Sequence, residues 1–199
     1  MIFFRVLPER RDQRGFTLIE LLIYITLSIV VLVVAGGLLI TGLRAQGTTG
    51  SVTDATNTAQ QIVRSVQAGV RNASAITVSS DATAGTQLLL ARTIGNDPAS
   101  TVASCQAWYY TPLNGGAVYT TRTTPASLIS LPSGGPQGIW SLLGVGVTPS
   151  DPITGKVLMA PSDGRVELAF DVAAGTHPYV LVNTMTYTPQ SATVSAPCF

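Results

Sequence analysis

Lysine and histidine are almost missing from this sequence: Lys156 and His177 stand alone, and charged residues fill only 11% of 199 positions. A single imidazole gives no metal-binding pair at a useful spacing. No G-x-S-x-G or H-E-x-x-H is present, and no Gly-rich phosphate loop surrounds the one lysine. Asp151, Asp163 and Asp171 stand apart in turn-like or alternating contexts, and a D-x-D-x-D-G calcium loop is lacking. These absences argue against an enzyme and predict no cofactor and no metal. Basic residues are thin as well. After the first apolar segment, Arg44, Arg64, Arg71, Arg92, Arg122, Lys156 and Arg165 are scattered singly, and the net charge is +1. Such scatter is not the clustered footprint of a nucleic-acid surface, so no nucleic-acid partner is expected.

What the sequence does have is apolar surface, with 46% hydrophobic residues and a mean hydropathy of +0.37. Much of the excess lies in residues 21–43, a stretch without any charge. As a helix it would extend about 34 Å, enough for a hydrocarbon core of about 30 Å. Arg5, Arg10, Arg11 and Arg14 precede it and only Arg44 follows closely, which favours a cytoplasmic N-terminus and an exported C-terminal part. Residues 44–199 suit a single domain with its own core. Both cysteines, Cys105 and Cys198, fall in that exported part, where a disulfide would persist. It would close a long loop and stabilise the fold by about 4–5 kcal/mol in the chain-entropy model. Two buried free thiols are the alternative.

A secretory signal peptide places its small-residue cleavage site after the apolar run. Here Gly15 comes before it. A plain signal anchor fits that order but gives no reason for Gly15, or for Glu20, a carboxylate inside the apolar segment. The stretch RGFTLIELLI, residues 14–23, resembles the processing and assembly motif of type IV prepilins and of the pseudopilins of type II secretion systems. The resemblance implies a leader over residues 1–15, cleavage between Gly15 and Phe16 by the membrane-embedded prepilin peptidase, and N-methylation of Phe16. Glu20 then stands at the fifth mature position, where the family places its glutamate. The implied partners are other pilin subunits, in a homo- or hetero-filament, the prepilin peptidase, an inner-membrane assembly platform and the membrane itself. The implied location is a single-pass cytoplasmic membrane protein before assembly and an extracellular filament after it.

The physical reading of Glu20 runs alongside. A lone carboxylate at membrane depth costs a few kcal/mol, and pairing with the ammonium that cleavage creates at Phe16, within a subunit or between neighbours, would relieve that cost. Glu20 would then hold the register of assembly. The plainer alternative puts Glu20 at headgroup level, favoured by the helix dipole in the first turn. Two departures from the family pattern stand out. Gly37, preceded by Gly36, occupies the place where major pilins often carry a kinking proline, and the leader is longer than the shortest. A glycine weakens a helix by roughly 1 kcal/mol relative to alanine, so Gly36 and Gly37 are the expected points of helix flexibility. The missing proline leans toward a minor pilin.

Residues 45–54, AQGTTGSVTD, are poor helix formers. They can interrupt a helix near 47–53, after which Asp54 would cap its renewal. Beyond it Ala59, Ile62, Val63, Val66, Val70 and Ala73 recur at spacings of three and four, with Gln60, Arg64, Gln67 and Arg71 on the other side. The spacing predicts one long N-terminal helix over 16–74, transmembrane over about 18–43. From residue 75 onward short Val, Thr, Leu and Tyr runs alternate with Gly, Pro, Asn and Asp, the texture of a strand-rich head to 199. Three hairpins are expected, about 81–85, PLNGG and PSDG. Val166, Leu168, Phe170 and Val172 alternate as in a half-buried strand, and 179–188 supplies another. Residues 131–155 read as a long surface loop with a short apolar piece, and Trp140 as its anchor. Asn72 begins an Asn-Ala-Ser triplet, on a helix face by chance. The fold class is α+β, pilin-like: a long helix packed on an antiparallel sheet. The function expected is a structural filament subunit. A secretion pseudopilin, or an adhesin or DNA-uptake module using the 131–155 loop, are the alternatives.

Overall fold

The computed structural model describes residues 17–94, 102–132, 134–160, 164–189 and 198–199. The chain forms two compact units, 1–47 and 48–199, and one helix, α1 (Leu18–Arg71), supplies residues to both. Across 47–53, where the sequence predicts an interruption, α1 is continuous, and Asp54 lies in its interior instead of capping a second helix. The hydroxyl residues that read as helix breakers are satisfied inside the helix. Ser51 Oγ donates to Thr48 O (3.0 Å), Thr53 Oγ1 to Thr49 O (2.7 Å) and Thr56 Oγ1 to Val52 O (2.8 Å). Bonded back in this way, Ser and Thr no longer compete for the backbone.

The C-terminal unit is an α+β head. Sheet A is an antiparallel meander of β1 (Ala73–Asp81), β2 (Thr86–Ile94), β3 (Ala103–Thr111), β4 (Ala117–Thr123) and β5 (Ser141–Val145), each strand beside its sequence neighbour. Sheet B is built on β8 (Arg165–Ala174). On one side β8 pairs with the short strands β6 (Val147–Pro149) and β7 (Leu158–Met159), and on the other with β9 (His177–Tyr187), antiparallel throughout. Asp81 closes the first hairpin by accepting from the Thr83 and Ala84 amides. Residues 131–155 are not one loop, because β5 and β6 lie within them. The glycines that suggested a loop have packing work instead: a Cβ on Gly144 would collide with Thr58, and Gly146, at φ 74°, turns the chain from one sheet to the other.

The main core is the predicted helix stripe against the inner faces of both sheets. Ala55, Ala59, Ile62, Val66 and Val70 meet Leu89, Trp108, Tyr110 and Val118 of sheet A and Val166, Leu168, Phe170 and Val172 of sheet B. Trp108 is fully buried and lies over Gly69, where any Cβ would overlap its ring. Its indole N–H donates to Ser65 Oγ at 2.9 Å. The opposite face of sheet A carries a second cluster, Leu88, Leu90, Cys105, Ala107 and Tyr109, covered by Ile129, Ala126 and Trp140. Trp140 is thus an anchor, its ring 5.7 Å from that of Tyr109. The disulfide between Cys105 and Cys198 brings the C-terminus into this cluster, with both cysteines fully buried.

One buried polar side chain joins the sheets. Gln87 on β2 is 3% exposed. Its Oε1 accepts from the amides of Val157 (2.9 Å) and Leu158 (2.8 Å), and its Nε2 donates to Gly155 O (2.9 Å). The amide of Val157 and its neighbour would otherwise be unpaired at the point where the sheets part.

Candidate functional site

Thr17 starts α1. Its Oγ1 accepts from the Glu20 amide (3.3 Å), and its carbonyl accepts from Leu21 N–H (3.1 Å), closing the first turn. Thr-Leu-Ile-Glu therefore has the spacing of a capping box, with Glu20 at the third helical position, where its carboxylate meets the positive end of the helix dipole. The T-x-x-E spacing was available in the sequence and marks the helix start. Glu20 is half-buried. Gly15 and Phe16, the expected cleavage pair, lie outside the described residues.

Beyond this turn α1 presents apolar side chains all round. From Leu18 to Leu43 its large hydrophobic residues are 52% to 83% exposed. By length and composition the helix is able to cross a membrane. Two of its hydroxyls in this part are satisfied locally: Thr26 Oγ1 donates to Ile23 O (2.9 Å) and Thr41 Oγ1 to Gly37 O (3.0 Å). Satisfied hydroxyls of this kind enter an apolar environment at little penalty. Glu20 is the only Asp, Glu, Lys, Arg or His between residues 18 and 43. Gly36 and Gly37 lie within the continuous helix, and a Cβ on either would meet nothing within 4 Å. Among the described residues no neighbour requires their small size.

The other chemistry-bearing residues are dispersed over the head. His177 begins β9, Asp171 lies on β8, and Lys156 is exposed just before β7. Asp151 Oδ1 accepts from Ile153 N–H (2.9 Å). That bond, with one from Thr154, holds its carboxyl below the usual carboxylate range. Asp163 lies outside the described residues. Among the described residues no three of His, Cys, Asp and Glu come together as a metal-binding group. Asn72, just past the end of α1, donates to Ala68 O (3.0 Å).

The structure thus gathers one distinctive constellation: a capped helix start with a single carboxylate in its first turn, followed by a helix without charge to Leu43 whose large apolar side chains are exposed. Residues 10–36, which include it, match the family model described as the prokaryotic N-terminal methylation motif. No curated protein and no solved structure matches the chain.

Proposed function

The methylation motif at residues 10–36 supports a type IV pilin-like family, and on that premise we propose that the chain is a structural subunit, a minor pilin, of a type IV pilus-like filament. The observation that carries this reading is the motif lying directly on a helix whose large apolar side chains from Leu18 to Leu43 are 52% to 83% exposed. In this proposal residues 1–15 are a leader, prepilin peptidase cleaves between Gly15 and Phe16, and the new Phe16 amine is methylated. The subunit waits in the cytoplasmic membrane as a single-pass protein with its N-terminus inside. It then joins other pilin subunits through an assembly platform, and the head is displayed outside the cell. Glu20 is the assembly residue: exposing its carboxylate to hydrocarbon is unfavourable, and the ammonium of Phe16 on the same or an adjacent subunit supplies the compensating charge. The minor class is favoured by Gly36-Gly37 in place of a kinking proline and by a strand-rich head with two sheets.

The test is the N-terminal sequence and intact mass of the protein from membranes and from sheared surface material. A mature chain beginning at N-methylated Phe16, present but scarce in the sheared fraction, is expected. An intact leader with all protein in the membrane would leave only an anchored exported domain.

A further inference from the structure

Strand β9 is an edge: among the described residues it pairs only with β8. Every second residue of an antiparallel strand turns its N–H and C=O away from its partner, so β9 offers a row of open hydrogen-bonding groups. Edges are ordinarily blunted by charge or proline; β9 has Pro178 near its start, and residues 179–187, YVLVNTMTY, contain neither. Their outward side chains form an apolar ridge, with Tyr179 63%, Leu181 69%, Met185 52% and Tyr187 57% exposed.

The order of residues in this strand suggests what covers it. About Asn183 as centre, Tyr179 mirrors Tyr187, Val180 mirrors Thr186, Leu181 mirrors Met185 and Val182 mirrors Thr184. Each mirrored pair matches in size: two tyrosines, two branched residues of equal volume, two flexible aliphatics. An antiparallel pairing of β9 with the β9 of a second copy, its two-fold axis at Asn183, would therefore set like against like on both faces, the isologous arrangement that a two-fold interface requires.

A second observation lies on the inner side of the same edge. An open groove of about 330 Å³ runs between α1 and β9, floored by Ala59, Val63, Val180 and Val182. Gln67 Nε2, at its side, donates to Thr184 Oγ1 (3.2 Å) and holds β9 to the helix. The inward side chains of an added strand, Thr186 and Thr184 of the second copy opposite Val180 and Val182, would come to rest in that groove. Four large side chains per copy, each with roughly 100–150 Å² exposed, limit the two-copy burial of this ridge to at most about 1,000 Å², the lower end for a specific interface.

We propose that β9 is a homotypic docking edge, through which two copies of this chain pair antiparallel with Asn183 at the centre. The pairing is weak and reversible at that area. It does not depend on the filament reading.

Cysteine cross-linking of the full chain in detergent tests the register, with the native Cys105–Cys198 bond left oxidised. Opposed residues in such a pair have Cβ atoms about 5 Å apart, so Asn183→Cys should form a disulfide-linked dimer under mild oxidation. Tyr179→Cys should link at least 10-fold less, because the two copies of that residue would be about 27 Å apart. Leu181→Cys and Met185→Cys, on two differently tagged copies, should link when mixed and not singly. Adding Leu181→Lys to the Asn183→Cys chain should cut the dimer at least 10-fold while its circular dichroism stays unchanged. Equal linking at 183 and 179, failure of both the 183 and the mixed 181/185 tests, or linking only to a different protein would each overturn the proposal.

Discussion

At the scale of single residues, Gln87 shows how one side chain can act as a short piece of strand. It occupies three backbone groups of the 155–158 segment that no neighbouring strand reaches. Gln87→Leu keeps the volume nearly constant but leaves two buried amides and a carbonyl without partners. Each buried donor left unpaired costs about 1–3 kcal/mol, so the substitution should destabilise the head by about 2–4 kcal/mol, read as a lower urea midpoint of Trp emission with little change in slope. Tyr110 makes a second case. Burial in the main core raises its hydroxyl above the ordinary value of 10.0. A phenol whose folded pKa is raised stabilises the fold fully below the unfolded value, and that stability is lost as pH climbs above about 10. The urea midpoint of the wild type should therefore fall between pH 9.5 and pH 11 more steeply than that of Tyr110→Phe; parallel falls would mean that other groups govern alkaline unfolding. Glu20 belongs at this scale too. Glu20→Ala leaves the Thr17 hydroxyl and carbonyl contacts in place, because those use backbone amides, so the helix start and leader cleavage should survive. Recovery in the sheared fraction should fall at least several-fold. Wild-type recovery would show that the carboxylate serves the first helical turn and not assembly.

At the scale of elements, the stripe of Ala59, Ile62, Val66 and Val70 and the alternation of β8 were readable because each buries one clean face. The hairpins at 81–85 and PLNGG were readable from their turn residues; β7 and β8 pair as expected on either side of PSDG, of which residues 161–163 lie outside the described residues. The continuous run of α1 through 47–53 was not, because Gly, Thr and Ser there have low helix propensity and their bonds to carbonyls four residues back become visible only in three dimensions. Strands β5 and β6 were hidden for a related reason: Gly144 and Gly146 read as loop residues, whereas one makes room for α1 and the other turns between sheets. Of the candidate site, the motif that residues 10–36 match was legible, Gly15 and Phe16 within it lie outside the described residues, and the Thr17 cap was legible in principle from its spacing to Glu20. Gly36 and Gly37 make the element-scale prediction. No packing among the described residues demands them, and replacing both by alanine should strengthen the helix by roughly 1 kcal/mol each. If assembly uses their flexibility, Gly36→Ala with Gly37→Ala will keep normal membrane levels and cleavage but reduce entry into filaments. Unchanged entry would assign the pair no role in bending.

At the scale of the whole molecule, the described residues of the head form two apolar clusters, one on each face of sheet A, and they are secured differently. The inner one is made by the helix and both sheets, and the disulfide is not among its residues. The outer one is closed by the Ala126–Ile129 segment, Trp140 and the C-terminal Cys198, elements with little regular structure of their own. Cys198 stands second from the last residue and is bonded to Cys105 across a sequence separation of 93. Without that bond the terminal residues lose their anchor, and the unfolded chain regains the entropy of a large open loop, about 4–5 kcal/mol in the chain-entropy model. The unequal support of the two clusters predicts an ordered loss. The Cys105→Ser, Cys198→Ser double variant should show its fastest rise in amide hydrogen exchange at residues 126–129 and on β3 around Cys105. Exchange in β8, and in α1 over 59–70, should rise only as far as global stability falls. The double variant is preferred to a single one because it leaves no lone thiol to pair wrongly. A uniform rise at all protected amides would mean that the disulfide acts only through the unfolded state. A rise confined to the outer face would show that it also holds the second cluster together in the folded head.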